Sequence, residues 1–300
     1  MEAMKHLAEI AAAVKGRPRR RMAVAYGEDA HTLQAVQRAV QEGIVEAVVT
    51  GDRARIAEVA AASGVDTHLF EVVHTQGELA SVMAAVTMVR EGKAHMLMKG
   101  LAHTDTYMRG ILDKEQGLLS EGGLLSHVAV LEAPRYPRLI VVSDVAVVPT
   151  PSLQDKVHIT NMAVRVARNL GVVTPKVAFI SASENVLRFV SNQEAAVLAG
   201  MAVRKQLGSI VGEGPISLDC ALFPESCRIK EFAGRVQGDA DVLIMPDIDA
   251  GNVFYKTMSW FAGAEVAAIV TGTTAPCILT SRGDSEDSKF YSIALGALNA

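Results

Sequence analysis

The chain has 300 residues, 50% of them apolar, a formal net charge of −4 and three cysteines. That length suits one large or two medium α/β domains with a sizeable core, and the mild acidity argues against a nucleic-acid footprint, which needs a basic field. Cys220, Cys227 and Cys277 are odd in number and form no CxxC pair, which argues against a disulfide framework.

The first residues, Met1 to His6, lack an apolar signal core. The most apolar region, 139–149, is interrupted by Ser143 and Asp144 and is too short to span a bilayer. A cytoplasmic protein with no membrane or nucleic-acid partner is the expectation.

Short apolar, β-branched runs alternate with longer runs of helical period. Taken in chain order, strands are expected at 22–26, 47–50, 95–99, 127–131, 138–143, 176–180, 209–211, 242–245, 267–270 and 277–280. Helices are expected at 30–42, 53–63, 78–91, 153–170, 193–206, 252–262 and roughly 288–298. Runs apolar throughout, such as Val242-Leu243-Ile244-Met245, fit a sheet buried on both faces. The alternation predicts a doubly wound, largely parallel α/β architecture. Ten strands are many for one open sheet, so two domains are expected: 1–122 plus 277–300, and 123–276. The returning C-terminal strand and helix would then face Lys99 and Arg109.

In open α/β sheets ligands gather beyond the carboxyl ends of the strands, so those ends are the places to search. Lys99, the turn glycine Gly100, and Thr104 and Thr106 opening a helix form a candidate phosphate cradle. Arg109 lies about one helical turn beyond Asp105 and Thr106 and can share their face. The alternative is ordinary capping by Thr104 or Asp105, with Arg109 in solvent. Asp144 follows the 138–143 strand, either lining the site or ending the strand. Farther on, Asp247, Asp249, Gly251 and Asn252 follow a strand and open a helix. Asp249 reads equally as a ligand-binding carboxylate or a helix cap, and Asn252 is a candidate beside it. No third carboxylate is fixed nearby, and the histidines have no HExxH or HxH spacing, so no metal site is expected. The basic run 17–21 reads as a solvated face. The chain has no G-x-x-x-x-G-K-[ST] loop and no G-x-G-x-x-G after its first strand.

The densest cluster is Thr280-Ser281-Arg282-Gly283-Asp284-Ser285-Glu286-Asp287, between a strand and a helix. Backbone N–H groups at such a junction attract anions, and arginine adds a fork of donors suited to phosphate. The alternative is capping, with Ser281 or Asp284 as cap and the acidic residues in the first turn.

Taken in order, Met98-Lys99-Gly100, residues 104–109, Leu125-Ser126-His127-Val128-Ala129-Val130, Gly238-Asp239-Ala240-Asp241, Pro246-Asp247-Ile248-Asp249-Ala250-Gly251-Asn252 and Leu279-Thr280-Ser281-Arg282-Gly283-Asp284-Ser285 resemble the phosphate acetyltransferase/butyryltransferase family, the butyryl branch most closely. The resemblance implies an isocitrate/isopropylmalate dehydrogenase-like fold, two α/β domains around a cleft, in homodimers or larger assemblies. It implies acyl transfer between coenzyme A and inorganic phosphate, with no tightly bound cofactor. It places Ser281, Arg282 and Arg109 in the active site, and a nearby aspartate as the base for the CoA thiol. Asp284 fits the butyryl branch's Ser-Arg-x-Asp-Ser pattern, with Asp287 close behind. One segment departs from the family: 185–192 replaces its Asn-Pro-Lys-Met-Pro-like loop.

The chemistry requires a thiolate, a donor for the carbonyl oxygen and a grip on phosphate. Asp284, Ser281, and Arg109 with Arg282 and Lys99 are the respective candidates. No cysteine occupies these motifs, so direct transfer in a ternary complex is expected. Two other readings remain: a metal- and NAD-dependent decarboxylating dehydrogenase on the same fold, and a non-catalytic acyl-CoA-binding or regulatory protein.

Overall fold

The computed structural model describes residues 2–120, 123–280 and 283–300. The chain divides into two compact units, one made of Ala8–Leu125 with Ala267–Ala300 and the other of Ser126–Val266 with Met1–Leu7.

The first unit begins with α1 (Leu7–Val14), β1 (Arg20–Ala25), α2 (Ala30–Gln41), β2 (Val45–Gly51) and α3 (Arg53–Ser63). It continues through β3 (Glu71–His74), α4 (Glu78–Arg90), β4 (Met96–Lys99) and α5 (Thr104–Ile111). Helix starts follow their capping residues: the Asp29 carboxylate accepts the Thr32 N–H at 2.9 Å, and Asp52 accepts those of Ala54 and Arg55. Gly64, at φ 70°, ends α3 in the left-handed conformation that glycine adopts without steric cost.

The second unit carries β5 (Ser126–Glu132), β6 (Ile140–Ser143), α6 (Leu153–Asn169), β7 (Lys176–Ile180), α7 (Val190–Val203) and β8 (Val211–Ile216). The short α8 (Leu218–Leu222) and α9 (Pro224–Ile229), then β9 (Val242–Ile244) and α10 (Ile248–Trp260), complete it. Its strand order is β5-β6-β9-β7-β8. β6, β9, β7 and β8 run parallel, and β5 is antiparallel to β6. A capping box, Ser152 with Asp155, opens α6.

The chain then returns to the first unit as β10 (Glu265–Thr271), β11 (Cys277–Ile278) and α11 (Glu286–Asn299). There the order is β3-β2-β1-β4-β11-β10, parallel except for the β10–β11 pair. The central residues Met22, Val24, Leu97 and Met98 of β1 and β4 are fully buried, and Phe290 and Ile293 of α11 are buried with them. Each unit is thus a mixed α/β sheet with helical cover.

Several elements differ from the sequence reading. β3 was not expected; it is an edge strand with only Val72 and Val73 as apolar signal. The strand expected at 209–211 runs instead over Val211–Ile216. It lies at the edge of its sheet, where Gly and Pro are tolerated. Helix α10 starts at Ile248, four residues before the expected 252, because Asp247 caps it through the Ala250 N–H at 2.9 Å.

Candidate active site

In the first unit, β1, β4 and β11 are parallel neighbours, so the loops after them share one carboxyl edge. Lys99, Gly100, Thr104, Thr106, Asp284 and Asp287 therefore belong to the strand end, loops and helix starts of that one edge, and Arg109 lies in the last turn of the helix, α5, that leaves it. Ser281 and Arg282 lie outside the described residues.

The loop after β4 is built against the loop after β1. The Gly100 N–H donates to the Ala25 carbonyl at 2.9 Å and the Leu101 N–H to that of Tyr26 at 2.8 Å. A Cβ on Gly100 would lie 2.5 Å from the Tyr26 carbonyl oxygen, so only glycine permits this approach. Lys99 is 3% exposed, and its Nζ donates to the Gly100 and Ala102 carbonyls at 3.2 and 2.9 Å. The lysine expected to hold phosphate therefore grips its own loop, and the first two loop amides are engaged by the end of β1 and the residue after it.

Helix α5 is capped from outside its own sequence. Neither Thr104 nor Asp105 is the cap: His103 occupies that position, and Glu78 of α4 accepts its N–H at 2.7 Å and bonds its ring at 2.9 Å. Burial alone would raise the Glu78 carboxyl, but hydrogen bonds from His103 and Thr106 outweigh it and hold the group below its ordinary range. Thr106 is thus engaged by Glu78, whereas Thr104 is exposed. Tyr107, fully buried, donates its hydroxyl to the Ile278 carbonyl at 3.1 Å, tying α5 to β11. Burial pushes that phenol well up, so it stays a donor. Two residues on, Arg109 is exposed and makes no ion pair among the described residues.

The turn after β11 is organised around α11. Ser285, rather than Ser281 or Asp284, is the cap, accepting the Ser288 N–H at 3.1 Å. Asp287 pairs with Arg38 of α2 at 2.6 Å, while Asp284 is half-buried and its main-chain carbonyl accepts from Lys289 at 3.4 Å.

Asp249 and Asn252 lie in the second unit, at the carboxyl edge of β9. Gly251 packs α10 against the turn after β6, where a Cβ would lie 2.1 Å from the Asp144 carbonyl oxygen. Asn252 donates to the Val145 carbonyl at 2.9 Å. Asp249 is an exposed first-turn residue; the capping role belongs to Asp247. Asp144 is buried and ends its strand as a full acceptor. It takes the His127 N–H at 2.7 Å, the Ser126 hydroxyl at 2.9 Å, and the Ala146, Val147 and Val148 N–H groups at 2.8, 2.7 and 3.3 Å.

Sequence reading missed Glu78, Arg38 and Lys289. Lys289 did carry a signal: it shares a helical stripe with Ser292, Ile293 and Gly296, all buried.

A family model described as Phosphate acetyl/butaryl transferase matches residues 5–81 and 74–297. The chain belongs to this family. It is an acyltransferase that moves an acyl group between coenzyme A and inorganic phosphate. The chain is similar to a phosphate butyryltransferase of Clostridium acetobutylicum, 41% identical over 99% of each chain. It is also similar to a phosphate acetyltransferase of Thermotoga maritima, 36% identical over 94% of this chain and 95% of that one. Among solved structures, a branched-chain phosphotransacylase from Enterococcus faecalis V583 superposes with a TM-score of 0.82 at 31% identity, covering 93% of this chain and 98% of the other. These likenesses favour acyl transfer over the dehydrogenase and non-catalytic readings.

Proposed function

We propose that this phosphate acyltransferase passes a short acyl chain directly between coenzyme A and phosphate within a ternary complex, at the carboxyl edge of the first unit. The observation carrying the reading is that α5 with Arg109 and the turn with Asp284 rise from neighbouring parallel strands, β4 and β11. Arg109, with no ion pair among the described residues, is the cation for phosphate, joined by Arg282. Ser281 is the donor to the carbonyl oxygen. Asp284 is the base for the thiol, since Asp287 is held by Arg38. Lys99, Gly100 and Thr106 shape the loop that carries the site, and Thr104 is the exposed hydroxyl on it. Asp249 and Asn252 are further candidates for binding substrate.

The reading extends to the rest of the molecule. The two compact units are its two domains, of the isocitrate/isopropylmalate dehydrogenase-like type. The enzyme is cytoplasmic, holds no tightly bound cofactor and works as a homo-oligomer. Trp260 and Phe261, 75% and 91% exposed at the end of α10, are surface that a second copy would cover.

The test is phosphate-dependent release of free CoA from acetyl-, butyryl- and branched acyl-CoA, without metal or NAD. Absence of release with every chain length overturns the reaction. Full activity in Arg109→Ala or Ser281→Ala overturns the site. A stable acylated protein, isolated after mixing with acyl-CoA alone, overturns direct transfer. A single methylene in an apolar pocket is worth about 1–3 kcal/mol, so activity should spread over neighbouring chain lengths.

A further inference from the structure

Lys289 is a buried cation to which the proposed chemistry gives no task. It is 3% exposed on α11, one position before the core residue Phe290. Lysine is rarely so buried, and an apolar side chain would fill the same stripe without desolvation. Its Nζ reaches the Asp284 carbonyl at 3.4 Å, on the turn just ahead of the helix. Asp29, the cap of α2, is its other charged neighbour. One Asp29 oxygen takes the Thr32 N–H at 2.9 Å, and the other, Oδ2, is buried with no hydrogen-bond partner among the described residues. Burial pushes the Lys289 ammonium below its ordinary value, against the pull of Asp284 and Asp29. Arg38 locks the surroundings, stacking 3.8 Å over the Phe290 ring while it pairs with Asp287.

Two explanations compete. Lys289 either neutralises Asp29 or serves the turn. Neutralising Asp29 is a weak reason for burying a charge, because asparagine caps a helix as well as aspartate and needs no counter-ion. The contact with the Asp284 main chain is left unexplained by that account.

We propose that Lys289 is a positioning residue of the transfer site: its ammonium fixes the Asp284 main chain and sets the turn on which the anionic substrate is bound. The inference rests on the function proposed above and names a residue outside the assigned set. No bond to substrate is involved. Lys289 acts through the turn.

The experiment uses the full chain as wild type, Lys289→Met, Lys289→Arg, Asp29→Asn and the double variant Lys289→Met/Asp29→Asn. Steady-state kinetics give KM for phosphate and kcat separately, and thermal melting is followed with and without coenzyme A and inorganic phosphate. Lys289→Met should raise the phosphate KM by about tenfold or more, with partial recovery in Lys289→Arg. Asp29→Asn should change KM by less than about threefold, since the cap is kept. The double variant, which carries no unpaired buried charge and so folds even if Lys289→Met does not, should stay impaired.

Wild-type KM and kcat in the double variant would show that Lys289 merely neutralises Asp29, and would overturn the proposal while leaving the function intact. If wild type releases no CoA yet is stabilised by coenzyme A and phosphate, and Lys289→Met and the double variant lose that stabilisation, the assigned reaction fails but the role of Lys289 stands. If ligand stabilisation is the same in wild type and the double variant, the role of Lys289 fails.

Discussion

Asp144 and Asp284 both follow short buried strands, one in each unit, but their surroundings are opposite. Asp144 gathers five donors, three of them consecutive backbone amides, and is closed off from solvent. Asp284 is half-buried at a turn, with a cation beneath its main chain. A carboxylate whose lone pairs are all taken by its own chain has none left for a substrate. On the same sheet edge other groups are engaged one by one: Asp287 by Arg38, Lys99 by its own loop, Thr106 by Glu78. On α5, Arg109 is exposed and makes no ion pair among the described residues. The difference separates a carboxylate closed into the fold from one at a half-buried turn.

The sharpest way to break this distinction is at Asp144. Asp144→Ala leaves buried amides unsatisfied and should cost about 3–5 kcal/mol of stability. Asp144→Asn, which keeps one acceptor oxygen, should cost less. Urea midpoints measure both. A loss below about 1 kcal/mol for the alanine variant would show that the turn does not depend on the carboxylate.

Next in size is Arg109→Ala. It should lower kcat/KM by about 100-fold, near 2.7 kcal/mol, through loss of phosphate binding and transition-state charge stabilisation. Because Arg109 is exposed and makes no ion pair among the described residues, the melting temperature should not move. A variant that loses stability along with activity would put Arg109 with Asp144 as a structural group.

How far this contrast was legible in advance depended on whether the signal was local. Helix α3 was read with its observed ends because Asp52 and Gly64 mark them within the segment itself. The end of α6 was read to within one residue and its start from Ser152. Helix α10 was placed four residues late because Gly251-Asn252 was read as its opening, whereas Gly251 lies inside it and lets the helix press on the Asp144 turn. The strand at Val211–Ile216 was hidden by Gly212, Gly214 and Pro215, which read as turn residues. Side-chain direction was the least legible quantity. Nothing in Met98-Lys99-Gly100 tells whether the ammonium points to a ligand or curls back onto Ala102. Likewise the α5 cap comes from Glu78, 25 residues away. The candidate residues were assembled from family order, and their division between open and engaged groups came from geometry.

Two of the close-approach glycines give a medium-sized test of the same contrast. Gly251→Ala and Gly100→Ala each force a Cβ against a backbone carbonyl, at 2.1 and 2.5 Å. Each should cost about 1–3 kcal/mol, although alanine is normally the better helix former at a position such as 251. Gly100→Ala should also lower kcat/KM, because the displaced loop carries Lys99 and leads into α5. Kinetics at matched folded fractions separate that loss from lost stability. Equal activity losses per kcal/mol in the two variants would mean that the loop has no special tie to the reaction.

The smallest effect lies in the second unit. There Lys230 pairs with Asp219 at 2.8 Å and donates to the Ser217 hydroxyl at 3.0 Å. Burial pushes the Asp219 carboxyl up, but hydrogen bonds from Lys230 and Ser217 dominate and bring it down to about 2. Both side chains of the ion pair are more than two-fifths exposed, so solvent screening limits its worth to at most about 1 kcal/mol. The sign follows from linkage. A carboxyl with a depressed folded-state value stabilises the fold above its ordinary value near 4, and that contribution is lost as pH falls toward 2. Asp219→Asn should therefore be less stable than wild type at neutral pH, with the gap closing below about pH 4. Urea midpoints of the two proteins across that range measure it. A gap that stays constant on acidification would mean that Asp219 contributes through its shape and hydrogen bonds and not through its charge.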